Sequence, residues 1–136
     1  MDPSVNRKLA NATAALSRFE EAVLGLDDDP IRRDSAILRF TLALETTWKA
    51  ARSVLIAGDG MERDFSGQPR AIVRECRVAG LIDDAMTTAI LAMMDDRNEV
   101  VHTYREAAAR ALAERLPGHA AILRRWLDGL DRAHRT

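Results

Sequence analysis

The sequence predicts an all-α fold, an antiparallel bundle of five to six helices in a single domain over residues 1–136. A chain of 136 residues can build one compact hydrophobic core. Its 47% hydrophobic and 30% charged residues are typical of a folded protein. Aromatic residues make up only 4%, so the core must be aliphatic. Since no strand-like alternation of useful length occurs, helices are favoured.

The first helix is predicted from a long apolar seam with Ser4 as its N-cap. The seam residues recur at spacings of three and four, which places them on one face of a helix. They are Leu9, Ala12, Leu16, Phe19, Val23 and Leu26. The run Asp27–Pro30 ends this helix and opens the next, because proline is acceptable in a first turn.

The second helix, over residues 30–57, has a broader apolar stripe than one neighbour requires. Leu38, Leu42 and Val54 widen a face formed by Ile37, Leu44, Trp48, Ala51 and Leu55. This width predicts burial against more than one neighbour, and a second subunit is one candidate. The glycines at 58 and 60 stop the helix, and residues 58–69 are predicted to form an exposed loop.

Three or four further helices are expected in the second half of the chain. A short helix begins at Pro69 and closes at Gly80, and Asp83 or Asp84 caps a fourth helix. Its predicted inner side carries Met86, Ile90, Met93 and Met94. A further helical pattern resumes at Ala107, is expected to break at Pro117–Gly118, and continues through residues 122–130.

Charge and residue usage narrow the functional classes. The net charge is −1, which does not predict tight, sequence-independent binding of nucleic acid. Cys76 is the only cysteine and is expected to be a core residue in a reducing compartment. Without a signal-like or membrane-spanning apolar run, the chain is predicted to be cytoplasmic. The three histidines are scattered and no phosphate-binding glycine loop occurs, so neither a metal nor a cofactor is predicted.

The segment that carries chemistry contains Arg97, Asn98, His102 and Tyr104. Since each helical residue turns by about 100°, Arg97 and His102 on one straight helix would point about 140° apart. Asn98 and His102 would share a face. A joint role for Arg97 and His102 therefore needs a helix end, a kink, or two copies of the segment meeting across a dimer axis.

An arginine and a histidine together could support RNA cleavage by the neighbouring 2′-hydroxyl. Histidine can exchange a proton near neutral pH, and arginine can stabilise the negative charge of a pentavalent phosphate. From spacing alone, the structural interpretation is stronger. In that interpretation Arg97 and His102 cap carbonyls at a helix end and pair with Asp95 or Asp96, and Tyr104 is an ordinary surface residue.

The segment resembles the R-x4-H-x-Y signature of HEPN domains, and more narrowly that of HepT-type toxins, also known as nucleotidyltransferase substrate-binding proteins. The similarity covers about residues 7–116, in family order and at family spacing. Its further residues are Arg39-Phe40, Glu45, Trp48-Lys49, Pro69-Arg70, Arg74-Glu75 and the run Gly80–Asp84.

This resemblance implies a HEPN-like bundle that forms a homodimer, with two R-x4-H motifs in one cleft. It implies a metal-independent endoribonuclease, the toxin of a toxin–antitoxin pair. The antitoxin would be a minimal nucleotidyltransferase (MNT) that silences the toxin by transferring AMP to the motif tyrosine. His102 would then be the acid–base group, Arg97 the phosphate clamp, Asn98 a positioning group and Tyr104 the modified residue.

Two other functions remain open from the sequence. The chain could be a non-catalytic subunit that presents substrate or a surface to a nucleotidyltransferase, or a helical assembly module whose motif is only structural. The presence of Arg97, His102 and Tyr104 together favours the toxin, because a binding role does not require all three.

Overall fold

The computed structural model describes residues 2–59 and 67–135, which form five α-helices. They are α1 (Pro3–Leu24), α2 (Pro30–Asp59), α3 (Pro69–Val78), α4 (Asp84–His102) and α5 (Glu106–Arg135). No β-strand occurs within these ranges, which confirms the predicted all-α class. No helix in the described part of the chain has the length and hydropathy needed to cross a bilayer.

Side-chain pairs at both ends of α1 show that it runs antiparallel to α5. Asn6, near the start of α1, meets His134 near the end of α5, with 3.0 Å between Oδ1 and Nε2. Glu20, near the end of α1, pairs with Arg124. The two helices therefore run in opposite directions, with α1 beside the C-terminal part of α5.

α2 runs parallel to α5, so it is antiparallel to α1. Arg33 Nη2 lies 3.5 Å from Glu106 Oε1 at the start of both helices. Further along, the Phe40 ring stacks on the His119 ring with centroids 5.2 Å apart. α3 and α4 are also antiparallel, because Arg70 and Arg77 of α3 pair with residues 95 and 84 of α4 respectively.

One continuous core lies between these helices, and the predicted α1 seam faces it. Leu9, Ala12, Leu16 and Phe19 are buried, while Val23 and Leu26 are partly buried. Burial of the four predicted α4 residues, from Met86 to Met94, is confirmed as well. Cys76 is fully buried in the same core.

The helix starts are set by aspartates. Asp2, not Ser4 as predicted, caps α1, and its Oδ1 accepts a hydrogen bond of 2.8 Å from the Ser4 N–H. The cap lies earlier because Pro3 occupies the first helical position, where its missing N–H costs nothing. At α4 the predicted cap is confirmed, since Asp83 Oδ1 accepts a 2.8 Å bond from the Met86 N–H.

α3 ends in a turn that depends on a glycine. Gly80 has φ of +78°, a left-handed conformation that side chains with a Cβ disfavour. This turn lets the Leu81 N–H donate to the Cys76 carbonyl at 2.8 Å, which closes the helix end. The predicted stop at Gly80 is thereby explained.

The second helix extends two residues past its predicted end at position 57. Residues 60–66, most of the predicted loop, lie outside the described part of the chain. Of the three residues predicted to widen the apolar stripe on α2, only Val54 is buried. Leu38 and Leu42 are 59% and 48% exposed. The outer part of this stripe therefore does not pack within the described chain.

The predicted break at Pro117–Gly118 is wrong, because α5 continues through both residues. Pro117 is exposed, and the buried stripe continues in phase on either side of it. The stripe comprises Ala109, Leu112, Leu116, Ala120, Leu123, Trp126, Leu127 and Leu130. An interior proline costs about 3 kcal/mol of helix stability, and packing of this long stripe offsets that cost. Over the described ranges, the bundle therefore has five helices.

Candidate functional site

The Arg97–Tyr104 segment spans the end of α4 and the connector to α5. α4 continues through Arg97 and Asn98 and ends at His102. Thr103 then takes an extended conformation (φ −145°, ψ 95°), while its N–H still donates to the Glu99 carbonyl at 3.0 Å. Residues 103–105 form the connector, so Tyr104 lies outside both helices.

The two aspartates before Arg97 are both engaged by other residues. Asp95 pairs with Arg70 of α3. Asp96 accepts two hydrogen bonds from Arg115, of 3.1 and 2.9 Å, and its Oδ2 lies 2.7 Å from His119 Nε2. The pairing of Arg97 with Asp95 or Asp96, one part of the structural interpretation, is therefore not formed.

Arg97 instead interacts with its neighbour in the motif. Its Nη1 donates a hydrogen bond of 3.1 Å to Asn98 Oδ1. An amide oxygen does not neutralise a guanidinium, so the positive charge of Arg97 remains available to an anion. The positioning role of Asn98 stays a prediction.

Arg97 and Asn98 line a cavity of about 430 Å³ between α2, α4 and the start of α3. The other lining residues are Leu44, Glu45, Trp48, Gln68, Pro69, Arg70 and Met94. Glu45 is bound by Lys49, with 2.8 Å between Oε1 and Nζ. The cavity therefore lies between Glu45 and Trp48 of α2, two of the residues that carry the family resemblance, and the motif residues Arg97 and Asn98 of α4. The sequence alone does not show that these residues are close together.

His102 is exposed and lies on a different side of α4 from Arg97. Both residues belong to the same helix, so their directions differ by about 140°. Asn98 and His102 share a face, as predicted. Within one chain, Arg97 and His102 do not converge on a single point.

Tyr104 reaches back to the first turns of α2. Its hydroxyl donates a 2.8 Å hydrogen bond to Asp34 Oδ1, and 55% of the residue is exposed. Arg33 lies behind this pair and is only 5% exposed. The pKa of Arg33 is raised above its ordinary value, chiefly by Tyr104, and the charges of Glu106 and Asp34 add to this, against the effect of burial.

Sequence reasoning missed Arg33, Asp34 and the Asp96 network. Asp34 is 70 positions away from Tyr104 and follows two arginines near the start of α2, so no local pattern marks it. Across residues 2–59 and 67–135, no cluster of three or more His, Cys, Asp or Glu residues could hold a metal ion.

Comparison with known proteins identifies the family. Residues 7–132 match the family model described as nucleotidyltransferase substrate binding protein like, so the chain belongs to this family. None of the curated proteins matches the sequence.

Two solved structures resemble the chain over nearly its full length. A Thermus thermophilus protein, ttk003001694, is 37% identical with a TM-score of 0.80, and the match covers 88% of this chain and 98% of that one. The tri-AMPylated Shewanella oneidensis HEPN toxin in complex with MNT antitoxin is 18% identical with a TM-score of 0.76, covering 97% and 99%. The fold is therefore the HEPN toxin fold, and the predicted HepT-like HEPN resemblance is confirmed.

Proposed function

We propose that this chain is the toxin of a HEPN/MNT toxin–antitoxin pair, a metal-independent endoribonuclease that is silenced by AMPylation of Tyr104. The observation that carries the proposal is the state of Arg97. This guanidinium lines a cavity, while the two adjacent carboxylates are bound by other side chains. An arginine beside a cavity, with no carboxylate partner among the described residues, is suited to bind a phosphate.

In the proposed reaction, the 2′-hydroxyl of the RNA attacks the adjacent phosphorus. One His102 accepts the hydroxyl proton as the new O–P bond forms, and a second protonated His102 donates a proton to the departing 5′-oxygen. Arg97 stabilises the added negative charge on the phosphate, with Asn98 holding it. The products are a 2′,3′-cyclic phosphate and a free 5′-hydroxyl.

This reaction requires two copies of the chain, because Arg97 and His102 diverge on α4. The outer face of α2 supports a homodimer. Ile31, Leu38 and Leu42 are 79%, 59% and 48% exposed, and their spacing of seven and four places them on one stripe. Burial of such a stripe against its symmetry mate would remove these apolar side chains from water and so favour association of two copies.

Control by an MNT-type nucleotidyltransferase is supported by the exposure of Tyr104. A transferase can reach a hydroxyl that is half exposed on a connector, and it could not reach one inside the core. The HEPN toxin of similar fold is itself AMPylated and bound to an MNT antitoxin. AMP on Tyr104 would add bulk and a negative charge that repels RNA.

The alternative function is a non-catalytic subunit that presents substrate to a nucleotidyltransferase. The family description, which names substrate binding, favours it. This alternative predicts no RNA cleavage by the isolated chain, whereas the toxin hypothesis predicts cleavage in the presence of EDTA.

The deciding experiment uses two histidine variants. The unmodified protein, incubated with RNA in EDTA, should give products with 2′,3′-cyclic phosphate ends. His102→Ala should reduce cleavage by about 10²–10⁴-fold, the usual contribution of a general acid–base group. His134→Ala is the matched control, because His134 contacts Asn6 at the far end of α5, and it should cleave normally. Full activity in His102→Ala would exclude this mechanism.

A further inference from the structure

The hydrogen bond between Tyr104 and Asp34 joins the α4–α5 connector to α2. The Tyr104 hydroxyl and Asp34 Oδ1 are 2.8 Å apart, which is the ideal separation for O–H donating to a carboxylate. Tyr104 is the only tyrosine in the chain. The carboxylate is therefore directed at the one phenol that the protein has.

This contact has little value as a structural bond. The Asp34 side chain is 52% exposed, and the Tyr104 residue is 55% exposed. Hydrogen bonds and ion pairs between exposed groups contribute little to the free energy of folding, because water competes for both partners. The stability of the bundle does not explain why a carboxylate faces this hydroxyl.

The guanidinium of Arg33, a residue that is only 5% exposed, lies near this carboxylate. Its Nε lies 3.9 Å from Asp34 Oδ1, and its Nη2 lies 3.5 Å from Glu106 Oε1. Glu106 is in turn bound by Arg110 at 3.0 Å. The charged groups that face Asp34 and Tyr104 thus come from α2 and from the first turns of α5, and they leave one side of the phenol open to solvent.

A phenol that attacks a phosphoanhydride must give up its proton during the reaction. A carboxylate within hydrogen-bond distance of the hydroxyl can accept that proton as the new bond forms. Arg33 adds a positive charge close to the oxygen on which negative charge develops. The guanidinium is near both groups, since its Nε lies 3.9 Å from the same Asp34 oxygen that accepts the Tyr104 hydrogen bond.

We propose that Asp34 is the general base for AMPylation of Tyr104, so that the toxin supplies part of the catalytic machinery for its own modification. This inference rests on the proposed control function. In the step, the Tyr104 oxygen forms a bond to the α-phosphorus of ATP, and the bond from that phosphorus to the β-phosphate oxygen breaks. Pyrophosphate leaves with Mg²⁺, and the phenol proton passes to the Asp34 carboxylate.

The test compares two aspartate variants of the full chain. Asp34→Asn keeps a hydrogen-bond acceptor for Tyr104 but removes the proton acceptor. Asp28→Asn makes the same chemical change at an exposed position six residues earlier and serves as the control. Each protein is incubated with the cognate MNT-type nucleotidyltransferase, ATP and Mg²⁺, and intact-protein mass spectrometry follows AMP uptake.

Asp34→Asn should lower the maximal rate of AMP uptake by at least about 10²-fold, with an unchanged KM for ATP and for the acceptor chain. Asp28→Asn should react at the wild-type rate, and both variants should melt at the wild-type temperature. An Asp34→Asn rate equal to that of Asp28→Asn would overturn the inference. A loss confined to KM would also overturn it, because it would show that Asp34 serves only in docking.

Failure of the control function itself gives a different result. If the wild-type protein takes up no AMP, or if Tyr104→Phe takes up as much as the wild type, then Tyr104 is not the site of AMPylation. That outcome removes both the proposed control and the role of Asp34. In contrast, if Asp34→Asn takes up AMP on Tyr104 at the wild-type rate, only the role of Asp34 as a general base is refuted.

Discussion

Asp96 and Arg97 are consecutive residues of α4, yet they belong to two different regions of the molecule. Asp96 faces α5, where Arg115 and His119 bind its carboxylate and only 16% of its side chain is exposed. Arg97 faces the cavity beside α2, where its guanidinium donates to the amide of Asn98 and meets no carboxylate of the described residues. In the inner region, formed by Asp96, Arg115 and His119, the carboxylate is bound by both partners. In the outer region, formed by Arg97 and Asn98, the positive charge of Arg97 remains available to an anion.

The two sides of α4 thus have different roles: Asp96 contributes to stability, and Arg97 is available for the proposed function. The inner network holds α4 against α5 and so fixes the direction in which Arg97 and His102 project. The outer residues are then not required for the stability of the bundle. Substitutions on the two sides of α4 should therefore affect different measurements.

The largest expected effect is on RNA cleavage, and it separates two arginines. Arg97→Ala should reduce cleavage by about 10²–10³-fold, because a donor that stabilises transition-state charge is lost. The free energy of unfolding should remain unchanged. Arg115→Ala should do the reverse and lower stability while the folded protein still cleaves RNA. Equal cleavage by both variants would contradict the assignment of the outer region.

The next effect concerns the exposed stripe on α2. Leu38→Asp should weaken the proposed homodimer by about 100-fold, since each of two buried leucines contributes roughly 1.5 kcal/mol. Leu24→Asp is the control, because Leu24 is 89% exposed at the end of α1 and lies outside the stripe. Sedimentation equilibrium of both variants measures the effect. A wild-type monomer at micromolar concentration would refute the dimer and the two-histidine mechanism.

The smallest effect compares two adjacent aspartates. Asp96→Ala should lower the free energy of unfolding by roughly 2 kcal/mol, because it removes charged hydrogen bonds to Arg115 and His119. Asp95→Ala should cost at most about 0.5 kcal/mol, as Asp95 has an exposed ion pair with Arg70. Urea unfolding of the two variants gives both values. Similar losses would show that the inner network has no special role.

Local sequence features were sufficient to predict most of the helices and to find the motif. Apolar spacing of three and four and prolines at first positions act within a few residues, so α1, α3 and α4 could be predicted closely, although the cap of α1 is Asp2 and not the predicted Ser4. The motif residues Arg97, Asn98, His102 and Tyr104 were also identified from their order and from the family resemblance. The dimer and the roles of these residues stay predictions.

Other features depend on contacts between residues that are distant in the sequence. Pro117 remains helical because the stripe on α5 packs against other helices, and this packing outweighs a local preference. Asp96 and Arg97 have similar local surroundings in the sequence, yet α5 engages only one of them. Asp34 meets Tyr104 across 70 positions. Such contacts arise only when the helices pack. The arrangement of the helices, and not the separation along the sequence, then determines which residues lie close together.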